Sequence, residues 1–240
     1  MSLKRTISRT ARGVFYFPKT LYLNYRCLPF KDAVKLPFIV MGSTSLCGIK
    51  KKNIRIEGPV HTGMIRVAAQ KTSKRGLPVN RKTSIIVDNG GSITFCGDTS
   101  IGAGTSVCAH GGKIRLGNKF SCNINCFLYS MESIETGSDV LLGWNINIRD
   151  NDGHPLYQNG EIINPNKGVR LGDRVWIASY VDIMKGVCLA DGTAVGTRSL
   201  VTKSFPQPNT LIAGSPAKII KEDIIWDYEF DKRCLIDQVK

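Results

Sequence analysis

The stretch Leu171-Gly-Asp-Arg-Val175-Trp-Ile177-Ala-Ser-Tyr-Val181-Asp-Ile183-Met-Lys-Gly-Val187-Cys-Leu189-Ala-Asp-Gly-Thr193-Ala-Val195-Gly-Thr-Arg-Ser199-Leu-Val201 renews one pattern every six residues. Its lead positions are Leu171, Ile177, Ile183, Leu189, Val195 and Val201. Four residues after each stand Val175, Val181, Val187, Thr193, Ser199 and Phe205. The same frame occurs upstream as Phe95, Ile101, Val107, as Leu116, Cys122, Leu128, and as Thr136, Leu142, Ile148. Thirteen of these fifteen leads are Phe, Ile, Leu or Val. The residue after the lead is Gly at 102, 117, 137, 143, 172 and 196, six of fifteen in a chain with only 24 Gly in 240 residues. An α-helix cannot keep a strict period of six on one face. Short strands separated by corners can: the lead side chain points inward, and a corner follows whose backbone needs a positive φ, which Gly and Asn tolerate best. Three hexads close one coil, and stacked coils bury an inner column of Leu, Ile and Val. Coil starts stand at Ile93-Thr-Phe95, Ile114-Arg-Leu116, Ile134-Glu-Thr136 and Val169-Arg-Leu171. Ile54-Arg-Ile56, Ile65-Arg-Val67 and Ile85-Ile-Val87 predict more irregular coils from near residue 50.

Outside the repeat, charge is placed unevenly. The formal net charge is +14. Residues 1–90 hold 18 Lys/Arg against 3 Asp/Glu, whereas residues 91–240 hold 15 against 16. A basic, partly apolar front end suits an acidic membrane surface, a polyanion or nucleic acid, or is a solvated face. The longest apolar run, Leu36 to Met41, is too short to span a membrane, and Val14 to Phe17 is too short for a signal-peptide core. The eight cysteines form no CxxC pair; they are expected as reduced thiols in a cytoplasmic protein. GxGxxG, P-loop and HExxH motifs are absent, and His61, His110 and His154 lack close ligand spacing, which argues against a zinc site, so no metal is expected; nor is nucleic acid expected as the partner.

The period fails between Ile148 and Val169. A loop that long inside a solenoid is usually functional, and this one carries His154, a natural general base near neutral pH. Asp150 and Asp152 precede it and suit turn formation or orientation of the imidazole.

The hexad [LIV]-G-x-x-[STAV]-x resembles that of the hexapeptide-repeat acyltransferases over residues 93–221, and more weakly over 50–92. The resemblance implies an all-β chain: a left-handed parallel β-helix, an exception to the usual crossover rule. Residues 1–50 are expected as an irregular basic segment, because prolines limit any helix there; they would cap the first coil or lie near acidic membrane. The β-helix would occupy 51–206 with an active-site loop at 150–168, and a CoA-contacting segment with a short helical tail would occupy 207–240.

Gly153-His154-Pro155 is similar to a triplet of galactoside and maltose O-acetyltransferases, which implies His154 as catalytic base. Val175-Trp-Ile-Ala-Ser179, Val195-Gly-Thr-Arg-Ser-Leu-Val-Thr-Lys203 and Ala213-Gly-Ser-Pro-Ala-Lys218 resemble the stretches that line the acetyl-CoA groove in that family. Trp176 and Ser179 would then flank the pantetheine, Thr197 and Thr202 would contact the donor, and Lys218 and Lys221 would face its phosphates. Arg198 stands where the family often has Gly, and would touch phosphate or narrow the groove. Asn123 matches an acceptor-pocket Asn, but equally suits a corner of positive φ. Residues 1–50 resemble the front of acetyltransferases of surface-polysaccharide pathways. The implied protein is a homotrimer using acetyl-CoA, without metal, to O-acetylate a carbohydrate for capsule or lipopolysaccharide. Transfer to an amine, or a non-catalytic binding β-helix, are the alternatives.

Overall fold

In the computed structural model, which describes residues 3–69 and 81–228, three parallel sheets form the faces of a prism. Face A has nine strands, from β1 (Phe38–Val40) to a last pair, Leu211–Gly214 and Ala217–Lys221; face B has seven and face C six. Successive coils stack in register. On face A the ladder runs Val67, Ile101, Cys122, Leu142, Ile177, Val195, Ile212. On face B it runs Val107, Leu128, Ile148, Ile183, Val201. On face C, Thr136 pairs with Leu171 and Leu171 with Leu189. All fifteen lead residues of the hexad frame are buried, as are Val175, Val181, Val187, Thr193, Ser199 and Phe205. The period of six therefore maps onto strand plus corner, with the lead facing the interior.

The glycines after the lead serve a different purpose from the one expected. None of Gly102, Gly117, Gly137, Gly143, Gly172 and Gly196 has a positive φ. They are needed because the next coil passes too close for a side chain. A Cβ on Gly117 would stand 2.0 Å from the Gly137 carbonyl oxygen, and one on Gly102 would stand 2.2 Å from that of Asn123. The left-handed position comes three residues after the lead, at Gly104, Lys119, Asn125, Asp139, Asn145, Arg174, Tyr180, Gly186, Gly192 and Arg198. Asn123 is thus not a positive-φ corner residue; Asn125 is, with φ 60°.

The front end also departs from expectation. It is not irregular: residues Leu3–Cys27 form a helix, α1, with Pro18 inside it. Pro29 and Pro37 lie beyond the end of α1 and do not limit it. The first coil begins at β1, at Phe38 and so well before position 51, with Phe38 paired to Ile65. Thr20, Leu23, Asn24 and Cys27 form the buried side of α1, at the spacing of one helical face. The Asn24 amide donates to the Phe38 carbonyl (2.8 Å) and accepts from the Phe38 N–H (3.0 Å), while Thr20 Oγ1 accepts from the Val40 N–H (3.0 Å). These are the groups that β1 turns away from Ile65–Ala69, its one sheet neighbour among the described residues, and unpaired strand edges invite aggregation. Leu23, Cys27, Leu28 and Ala33 are continuous with the apolar column of the coils.

At the other end, Ala217–Lys221 pairs antiparallel to Leu211–Gly214. Residues 222–228 carry no helix; the rest of the expected helical tail lies outside the described residues.

Candidate active site

The interruption leaves the prism after the face B strand Asn147–Arg149 and returns at Val169–Leu171, at the corner between faces B and C. Its first residue is an anchor. Asp150 is fully buried, and its carboxylate accepts from Ser130 Oγ (2.7 Å), Met131 N (2.8 Å), Glu132 N (2.9 Å) and Asn151 Nδ2 (2.9 Å). A buried carboxylate is tolerable only when so supplied with donors. Asn151 Oδ1 then accepts from the N–H of Gly153, whose φ is +82°.

Beyond this anchor the loop is a small hairpin, Tyr157–Gln158 against Glu161–Ile162, turned at Asn159-Gly160 with φ of 53° and 82°. Two positive φ values in an Asn-Gly pair are the signature of the tightest hairpin turn. Asn164 ties the hairpin to the histidine. Its amide donates to the His154 carbonyl (2.9 Å) and to Asp152 Oδ2 (2.9 Å), and accepts from Leu156 N (2.6 Å). Lys185, from the next coil, closes the network on Asp152 Oδ2 (2.5 Å) and the Asn164 carbonyl (2.9 Å). These bonds from Lys185 and Asn164 hold the Asp152 carboxyl below its ordinary pKa. His154 is exposed, and no hydrogen bond joins its imidazole to any described residue. Neither aspartate orients the ring: Asp150 faces the neighbouring coil and Asp152 faces Lys185.

The remaining sequence-predicted residues fall into separate groups. Asn123, Ser179 and Thr197 all lie at the corner between faces A and B, Ser179 and Thr197 on successive coils and Asn123 two coils before Ser179. There Thr197 Oγ1 donates to the Ser179 carbonyl (2.7 Å), and Ser179 Oγ accepts from Trp144 N (3.2 Å). Arg198 also sits on this corner, its guanidinium 5.2 Å over the Tyr180 ring. Trp176 points outward from face A, 37% exposed. Lys218 and Lys221 are exposed on the last strand, in register with Ala213 and Leu211. His154 and Thr202 lie on the other corner, between faces B and C. One copy of the chain therefore does not bring His154 together with Asn123, Ser179 and Thr197. Between the two corners, Trp144 Nε1, Asn147 Oδ1 and Arg149 Nε are buried with no hydrogen-bond partner among the described residues.

No family model matches the chain. Galactoside O-acetyltransferase of Escherichia coli K12 is 33% identical over 118 residues, which are 48% of this chain and 56% of that protein, so the chain spans little more than half of its length. The polysialic acid O-acetyltransferase of Neisseria meningitidis is 35% identical over 182 residues, covering 75% of this chain and 71% of that one. The chain belongs to the hexapeptide-repeat acyltransferase family. The crystal structure of the polysialic-acid-specific acetyltransferase NeuO superposes with a TM-score of 0.57 at 22% identity, over 84% of this chain and 97% of that one. The fold of this family member is accordingly the left-handed parallel β-helix.

Two features of this hexapeptide-repeat protein have weak or no sequence signals. Asn159-Gly160 does announce a hairpin, but Lys185 sits inside a regular hexad and nothing in the repeat marks it as the partner of Asp152. Trp226 packs 6.1 Å from Trp176, donates through Nε1 to the Arg174 carbonyl (2.6 Å) and lies under the Arg174 guanidinium. It comes after the period has ended, where no spacing predicts its contacts.

Proposed function

We propose that the protein transfers the acetyl group of acetyl-CoA to a sugar hydroxyl, in the biosynthesis of a capsule or lipopolysaccharide. The observation that carries this reading is the extruded loop, fixed through Asn164 and Lys185, that presents an imidazole free of hydrogen bonds in a chain of this family. The names of the relatives supply acetyl transfer and the glycan class. His154 takes the hydroxyl proton as the sugar oxygen attacks the thioester carbon. A main-chain amide donates to the tetrahedral oxyanion. Collapse breaks the C–S bond, and the departing CoA thiolate takes the proton from the imidazolium, leaving ester and CoA. No covalent enzyme intermediate is needed.

Trp176 and Ser179 would flank the pantetheine, Thr197 and Thr202 would contact the donor, and Lys218 and Lys221 would face the nucleotide phosphates, where ammonium groups suit the charge. Asn123 would meet the acceptor. Because His154 and the Asn123–Ser179–Thr197 corner lie apart within one chain, the site is completed by a second copy, which supports a homotrimer with donor grooves between prisms. No helix among the described residues is long and apolar enough to cross a membrane. Val14, Phe15, Tyr22 and Tyr25 are exposed on the side of α1 away from the coils, near Arg26, which supports peripheral contact with acidic lipid; a cytoplasmic site of action is part of the same proposal. The test is a panel of sugars incubated with labelled acetyl-CoA. Base-labile label on a hydroxyl is expected. Base-stable label on amino sugars alone, or no transfer at all, would overturn the reading.

A further inference from the structure

Face C turns a charged ladder outward, with Arg55, Thr94, Arg115, Glu135 and Arg170 in register on successive coils. Where this face meets face B, over the first coils, a cavity of about 760 Å³ opens. Five cations line it, Lys50, Lys52, Arg55, Lys113 and Arg115, against two carboxylates, Asp88 and Glu135. Asp88 is engaged by His110 Nδ1 (2.8 Å), and Arg115 by Glu57 (2.7 Å). Lys50, Lys52, Arg55 and Lys113 make no ion pair with any described residue. Five cations against two carboxylates leave the lining with a net charge of +3; cations gathered around one cavity repel each other, and a multivalent anion relieves that repulsion.

The lining also indicates which anion. Ser92 and Thr94 are part-buried beneath the cations and offer hydroxyls. No aromatic side chain among the described residues lines the cavity, so they supply no stacking platform of the kind that holds single-stranded nucleic acid. Nor does a broad apolar surface there suit lipid. Arg55, Thr94 and Arg115 stand one coil apart, about 4.8 Å per step, a regular ladder suited to a polymer with repeating charge. The loop carrying His154 leaves the same corner two coils beyond the Lys113 strand and four beyond the Arg55 strand. That is a rise of about 10 to 19 Å at this spacing.

We propose that this cavity binds an anionic polysaccharide through Lys50, Lys52, Arg55 and Lys113, and so holds the acceptor chain at a distance from the hydroxyl presented to His154. The role as an acceptor subsite rests on the acetyl transfer proposed above; the binding of the polymer does not.

The test is fluorescence anisotropy on the full chain without acetyl-CoA. The probes are labelled polygalacturonate and dextran sulfate, with neutral dextran and single-stranded DNA as comparators. Lys52→Ala/Arg55→Ala/Lys113→Ala is set against Lys31→Ala/Lys35→Ala/Lys203→Ala, which removes as many cations elsewhere. All six are exposed, so both variants should fold. At least one anionic polysaccharide should bind, more weakly as salt rises, and dextran should not. The cavity variant should lose affinity by at least about tenfold, which is about 1.4 kcal/mol, and the control variant less than about twofold. Equal losses in both variants, no binding of either anionic polysaccharide, or tighter binding of DNA through the same residues would overturn the proposal. If the polymer binds through the cavity but no sugar is acetylated, the acetyl-transfer reading fails and the cavity stands. If sugars are acetylated while the cavity variant binds unchanged, the cavity assignment fails and the activity stands.

Discussion

From Val169 to Phe205 every sixth side chain is buried, and each short strand bonds to the coils stacked beside it. From Asp152 to Ile163 every residue is exposed, and the path of the chain depends on a few polar side chains. The coils spread their stability over many equivalent contacts. The loop concentrates its geometry in Asp150, Asn164 and the Lys185–Asp152 pair. Stability and activity should therefore respond to different substitutions.

The largest effect is expected in the coils. Leu142 is fully buried on face A. Leu142→Ala should cost about 2–5 kcal/mol, from lost transfer energy plus a cavity, seen as a lower midpoint in denaturant. Gly117→Ala should be of similar severity, because the added Cβ falls 2.0 Å from the Gly137 oxygen and backbone must move. An unchanged midpoint in either variant would mean that the coils are not close-packed.

Asp150 joins the two regions, so its replacement should affect both. Asp150→Ala removes the acceptor of four donors; Ser130 Oγ and Asn151 Nδ2 keep the carbonyls of Lys113 and Tyr129, while the N–H groups of Met131 and Glu132 are stranded. Each buried unpaired donor costs about 1–3 kcal/mol where water cannot enter. The denaturant midpoint should fall and hydrogen exchange in the loop should quicken together; loss of either alone would break the link between anchor and loop.

Lys185→Ala should separate the regions. The pair is only partly buried, with Lys185 at 18% and Asp152 at 33% side-chain exposure, so global stability should change by about 1 kcal/mol or less. Loss of loop geometry should still lower acetyl transfer by about tenfold, since small misplacements of reacting groups are costly. The pH dependence has a definite sign. A carboxyl whose folded pKa is depressed stabilises the fold above its ordinary value and loses that contribution as pH falls through the folded one. Asp152 is lowered from 3.8. The loop should therefore stay closed from neutrality down to about that ordinary value and loosen only below it, which hydrogen exchange across acid pH would show. Loosening near pH 6 would assign the network to another group.

The smallest effect concerns the last strand. Lys218→Ala/Lys221→Ala should raise KM for acetyl-CoA by several-fold, at roughly 0.5 kcal/mol per exposed charge contact, and leave KM for acetyl-pantetheine unchanged. An equal change for both donors would remove these lysines from the phosphates.

How far the sequence carried depended on whether a side chain's role recurs. The lead residues recur, and all fifteen are buried as the hexad frame requires. The glycine after the lead was legible as a necessity but not for its cause, because spacing does not distinguish a strained corner from a close approach of the next coil. Helix α1 was missed because the prolines read as limiting it, Pro29 and Pro37, lie beyond its end, and because its buried face is mixed: Thr20 and Asn24 turn inward to bond β1 while Phe15, Tyr22 and Tyr25 turn outward. An apolar-periodicity argument misses a helix that covers a strand edge with polar groups. In the site, His154 stood out through its loop and its neighbours Gly153 and Pro155. Lys185 and Trp226 did not, since each acts through contacts with residues 21 to 52 positions away in the chain, where no local spacing marks them.

The most direct test of the account is the turnover of His154→Ala with acetyl-CoA and a sugar acceptor, measured beside its unfolding midpoint. The imidazole is exposed and makes no hydrogen bond to the described residues, so the midpoint should not move. Removing a general base should lower kcat by at least about 10²-fold. A folded variant that turns over at close to the wild-type rate would contradict the assignment of His154 as the base.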